Sequence, residues 1–147
     1  MTDISRCIVL DAPFEASVTA TLAAFRAEGF DLAFTLDIRQ YLARNVQHDC
    51  RRYLLLNLLL PHVTLEALQL DPELGPVVFT TIAIFELPDG EAALVARPSL
   101  APAVIDAGER AASHVLAGIA DRAAEGLARA LDRLRTVPVA VLTTPLT

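Results

Sequence analysis

Tyr53 to Pro61 reads YLLLNLLLP, His62 to Gly75 reads HVTLEALQLDPELG, and Pro76 to Pro98 reads PVVFTTIAIFELPDGEAALVARP; this stretch decides the fold. Tyr53 to Leu60 has almost no polar side, as expected of an interior strand covered on both faces. Pro61 ends it and opens a short helix over His62 to Leu70, with Val63, Ala67 and Leu70 facing inward. Asp71-Pro72 stops that helix, because the residue before proline resists the helical conformation. Val77 to Leu87 and Ala92 to Ala96 read as two strands. Pro88-Asp89-Gly90-Glu91 between them is a hairpin signal, so the pair is antiparallel.

Toward the N-terminus, Ile4 to Leu10 is a short apolar run interrupted by Arg6. Pro13 at a first helical position and Glu15 in the first turn then open a helix to about Glu28, with Val18, Leu22 and Phe25 on one stripe and Gly29 as its stop. Phe30 to Ile38 sets Phe30, Leu32, Phe34, Leu36 and Ile38 against Asp31, Thr35 and Asp37, the period-two pattern of a strand with one wet face. Tyr41 to Arg52 can begin as one short helical turn, but Gln47 to Arg52 make it the most polar segment and it reads as a surface loop.

Toward the C-terminus, one long helix extends from about Ala103 to Arg135. Its inner stripe holds Ile105, Ala112, Val115, Leu116, Ile119, Ala123, Leu127, Leu131 and Leu134. Gly108, Gly118 and Gly126 each cost such a helix about 1 kcal/mol relative to alanine, which points to close packing against a neighbour or to a bend. Val137 to Leu142 suits a last strand that Pro138 confines to a sheet edge. The order β-α-β-β-(α)-β-β-α predicts an α+β two-layer sandwich, an antiparallel sheet packed on helices. Residues 1–147 form one domain in this reading, with the core over 4–135 and a tail over 136–147.

The chain has 147 residues, 54% of them hydrophobic, enough for a core without disulfides or metal. Mean hydropathy is +0.46, yet Asn57, Glu66, Glu86 or a proline breaks each apolar run well short of the ~20 residues a membrane span needs. The N-terminal run stops at Asp11, too short for a secretory signal, so a cytoplasmic protein is expected. A net charge of −6, with 12 basic residues against 18 acidic, argues against nucleic acid and against anionic membranes as partners. Cys7 and Cys50 stand far apart without metal-type spacing, and in a reducing compartment neither a disulfide nor a metal site is expected of them.

Tyr53 through Pro98 resembles the core of the bacterial and archaeal family known as domain of unknown function 302. The resemblance is carried by Tyr53 and Pro61, by Leu70-Asp71-Pro72-Glu73-Leu74-Gly75, by the strand to Glu86, by Asp89-Gly90 and by Pro98. It implies a fold like the saddle domain of TATA-binding protein, commonly a homodimer, with no agreed activity. Where the family carries Cys-Asn before the proline this chain has Leu59 and Leu60, and where the family carries Pro-Cys it has Phe79 and Thr80. None of these four residues offers a thiolate for metal or redox work.

His48-Asp49-Cys50 with Arg51 and Arg52 is the local cluster with reactive residue types. A thiol beside guanidinium groups has a lowered pKa and can act as a nucleophile; the competing reading is a solvated loop. His62, at the start of the short helix, can bind a ligand or donate a proton, or simply stand in water. Thr80 and Thr81 interrupt an apolar strand, and one hydroxyl must find a partner inside. Thr80 with Asn57, Leu59, Phe79 and His62 would frame a small, mostly apolar pocket between sheet and long helix; the plainer reading is a cross-strand hydroxyl pair. No catalytic residue, metal ligand or cofactor is assigned. The expected function is a non-catalytic domain that binds a small apolar molecule or serves as an accessory protein, self-associating as a homodimer. The alternatives are an enzyme using His62 or Cys50, and an interaction module whose tail strand joins a partner's sheet.

Overall fold

The computed structural model describes residues 6–100, 103, 113–134 and 137–138. Its elements are β1 (Arg6–Pro13), α1 (Phe14–Ala27), β2 (Asp31–Asp37), α2 (Ile38–Val46), β3 (Tyr53–Leu59), α3 (Pro61–Leu70), a 3-10 helix (Pro72–Val77), β4 (Thr80–Glu86), β5 (Glu91–Arg97), α4 (Ser113–Leu134) and β6 (Val137–Pro138). The strands form one antiparallel sheet in the order β2-β3-β4-β5-β1-β6. Helices on a sheet make this the α+β fold that the sequence predicts. Of the helix expected from Ala103 to Arg135, residues 104–112 and 135 lie outside the described residues, as does the expected tail beyond Pro138.

The period of two sends alternate strand residues to opposite faces. Ile8 and Leu10, Leu56 and Leu58, Ile82 and Ile84, and Ala92, Leu94 and Ala96 face the helices. With Phe25 of α1, Phe30, and Leu127 and Ala130 of α4, they make the main core. Phe30 meets Phe25 edge-on at 5.1 Å, just after Gly29 turns the chain out of α1 with φ +88°. A second core joins Val63 and Ala67 of α3, Leu74 and Val78 of the following turn, and Leu116, Ile119 and Ala123 of α4. Leu60 touches both cores, so the two are one packed unit.

Helix α1 is rotated from its predicted stripe. Ser17, Thr21, Ala24 and Phe25 are its buried residues, while Val18 and Leu22 are only partly buried. Hydroxyls can occupy a core position when the backbone satisfies them. Ser17 Oγ donates to Ala12 O at 3.1 Å and Thr21 Oγ1 to Ser17 O at 2.7 Å. Two sets of ion pairs fasten α4: Arg129 and Arg133 both reach Glu28 at 2.7 Å, and Arg122 grips Glu66 of α3 with two contacts of 2.7 and 2.9 Å. Gly126 packs against Phe30 and Leu60, whereas Gly118 has open space where a Cβ would stand. Close packing therefore explains one glycine and not the other.

The polar segment after β2 departs from the expected loop: α2 runs from Ile38 to Val46. Asp37, read as a strand residue, accepts a hydrogen bond from Gln40 N at 3.0 Å and caps the helix. The helix closes at Gln47, left-handed at φ 50°, with His48 N donating to Leu42 O. Strand β4 begins at Thr80, three residues late, because Pro72–Val77 is a 3-10 helix. Val137–Pro138 lies at the sheet edge, paired with Ile8 and Val9 of the same chain, as the proline dictates.

Candidate functional site

The register divides the residues that sequence reading grouped in one pocket. Thr80 stands opposite Leu58 on the helix face and is 1% exposed. Asn57 stands opposite Thr81 on the other face, and Thr81 Oγ1 donates to Asn57 Oδ1 at 3.2 Å. The amide in mid-strand is thus met by the neighbouring Thr81 hydroxyl, a hydroxyl–amide pair across the strands instead of the hydroxyl pair expected. Leu59 and Phe79 lean on the second core. His62 is exposed in the first turn of α3, near Glu66, whose carboxyl the hydrogen bond from Arg122 holds below its ordinary value. Asn57 and Thr80, on opposite faces of the sheet, therefore do not line one cavity between the sheet and the long helix.

Cys50 is 5% exposed, not solvated as a surface loop would leave it. Asp49 beside it is turned to Arg39, at 3.3 Å. A nucleophile must meet its substrate, and this buried thiol does not face solvent. Neither cysteine is in a disulfide. Among the described residues no three His, Cys, Asp or Glu side chains come together as a metal site requires, and no helix is long and apolar enough to cross a membrane.

Two features that sequence reading missed remain. The first is the sheet face away from the main core. Leu32 pairs with Leu58, but Phe34 pairs with Asn57, so Ala33 is an extra residue in a β-bulge. A bulge reverses the alternation beyond it. Phe30 and Leu32 point to the main core as the pattern predicts, while Phe34 and Leu36 are carried to the opposite face, 51% and 40% exposed. There they extend two cross-strand rows. One runs Leu36, Leu55, Ala83, Val95, Cys7; the other runs Phe34, Asn57, Thr81, Arg97. A third row begins with Tyr53 stacked on Phe85 at 5.4 Å and continues through Ala93 and Val9. Phe34 also meets Phe79 edge-on at 5.5 Å. β3 is therefore an interior strand as expected, but only its main-core face is sealed: Tyr53, Leu55 and Asn57 are half-buried.

The second feature is a cleft of about 320 Å³ where α1 begins, β2 ends and β3 starts. Arg39 and Arg52 bring two guanidinium groups, Glu15 and Asp37 two carboxylates, and Phe14, Tyr53 and Leu54 the apolar lining. Arg52 Nη1 lies 3.2 Å from Glu15 Oε1, and its guanidinium sits over the Phe14 ring at 5.4 Å. Burial raises the Tyr53 pKa above its ordinary value.

The chain matches the model of one family, Domain of unknown function DUF302, over residues 7–134. Among solved structures it is similar to an uncharacterized conserved DUF302 protein from Bacillus stearothermophilus, with a TM-score of 0.78 and 13% identity, over 91% of this chain and 100% of that one. At that identity the likeness concerns the fold. No curated protein matches the chain.

Proposed function

Because the chain belongs to the family Domain of unknown function DUF302, whose description assigns no activity, we propose from its geometry that it is a non-catalytic binding domain assembled as a homodimer through the second face of its sheet. The observation that carries this reading is the set of three rows, two of them largely apolar and the third polar beyond Phe34, completed at the edge by the bulge that turns Phe34 and Leu36 outward. Arg97 is the one charged side chain in those rows. Five strands of about seven residues span ~24 Å by ~24 Å, on the order of 600 Å² before side-chain relief, against roughly 800 Å² per partner in a standard interface. Small molecules favour concave clefts instead, so a second copy, apposing the same surface about a two-fold axis, is the occupant that fits.

The non-catalytic part of the reading is supported by Cys50 lying buried. A cytoplasmic setting is in keeping with two cysteines outside any disulfide. Native mass spectrometry of freshly purified protein tests both halves. A mass twice the 15.8 kDa chain supports the dimer, and excess mass that vanishes on denaturation supports binding. A monomer at micromolar concentration contradicts the assembly.

A further inference from the structure

The cleft at the start of α1 has a composition that selects its ligand. Its walls carry two guanidinium groups and two carboxylates, so the lining is electrically balanced, and Phe14, Tyr53 and Leu54 add an apolar surface. A phosphate or another polyanion would meet as much repulsion as attraction there. A molecule with one positive end, one negative end and an apolar body would satisfy each wall in turn.

The groups are available to exchange partners. Arg52 and Glu15 are joined at 3.2 Å with side chains 42% and 84% exposed, a pairing that solvent screens. Arg39 uses Nε on Asp49, leaving its two terminal nitrogens, and Asp37 uses one oxygen to cap α2. Phe14 under the Arg52 guanidinium holds that cation at the cleft, and the 320 Å³ volume is at the small end of ligand sites.

We propose that this cleft binds a small zwitterion of the amino-acid type, its carboxylate against Arg52 and Arg39, its ammonium against Glu15 and Asp37, and its apolar side chain on Phe14 and Leu54. The inference rests on the reading of the domain as one that binds without reacting. It is tested by following backbone amide shifts of the full chain during titration with L-phenylalanine, 3-phenylpropanoate and phenethylamine. The last two keep the ring and only one charge each. Saturable shifts at residues 14–15, 37–39 and 52–54 are expected, with L-phenylalanine binding about tenfold more tightly than either one-charge probe, the equivalent of ~1.4 kcal/mol. Arg52→Gln, or Arg39→Gln should the first variant fold poorly, weakens phenylpropanoate and spares phenethylamine; Asp37→Asn, which keeps a capping side chain, does the reverse. No saturable shift at these amides, or a one-charge probe binding as tightly as L-phenylalanine, overturns the proposal. A dimer that persists under either result leaves the assembly reading standing by itself.

Discussion

Replacing Gly126 by alanine separates two meanings of a glycine inside a helix. Gly126 is buried in α4, and an added Cβ would stand 3.4 Å from Phe30 Cε2, 3.5 Å from Leu60 Cδ1 and 3.6 Å from Phe30 Cζ. Those are contact distances, not overlaps. Alanine gains about 1 kcal/mol over glycine in a helix interior, and a newly buried methyl adds about 0.8 kcal/mol more. Gly118, exposed on the same helix with nothing within 4 Å, supplies the control: Gly118→Ala gains the helix term alone. Thermal unfolding followed by circular dichroism should therefore rank Gly126→Ala above Gly118→Ala above the parent. At about 2–4 °C per kcal/mol for a domain of this size, steps of a few degrees are expected. Gly126→Ala melting below the parent, while Gly118→Ala melts above it, would show that α4 needs the bare backbone to approach Phe30 and Leu60, and would refute the reasoning.

Further outcomes follow from single groups. Hydrogen bonds from Arg129 and then Arg133 hold the Glu28 carboxyl below its ordinary value of 4.5. A depressed folded-state pKa gives stability that is present above the unfolded value and lost as pH falls through the folded one. Glu28→Gln should thus lower the melting temperature near neutrality, with the gap to the parent closing well below pH 4.5; a gap independent of pH contradicts the ion-pair account. Thr64 Oγ1 is buried without a partner among the described residues, so Thr64→Val should raise stability by about 1 kcal/mol in guanidinium unfolding, and a loss of that size would mean the hydroxyl is bonded after all. In a Cys7→Ser background, Cys50 should react with a thiol reagent far more slowly in the native protein than in denaturant; equal rates would place it at the surface.

The fold was readable where each signal is local. Pro61 and Asp71-Pro72 bracket α3, Asp89-Gly90 turns the β4–β5 hairpin, and Pro138 marks the edge. Helix α2 escaped because Asp37 serves two patterns, the polar side of a strand and the cap of a helix, and only the second is used. The Ala33 bulge left no mark because alanine fits either side of a strand, yet this one residue decides which face Phe34 and Leu36 join. Choosing between Thr80 and Thr81 needed the register against β3, which neighbouring residues do not specify. The cleft was invisible for the same reason: Glu15, Asp37 and Arg52 come from α1, β2 and the connection before β3, and meet only once the sheet is built.

Assembly through the sheet face is tested most directly by Phe34→Asp with Leu36→Asp, measured by light scattering after gel filtration alongside the parent chain. Both side chains are already solvent-exposed in the single subunit, so the substitutions cost its core little while placing two charges in the proposed contact. A parent of twice the 15.8 kDa chain mass is expected, with a folded variant of one chain mass at the same concentration. A variant that remains dimeric, or a parent already monomeric, would contradict it.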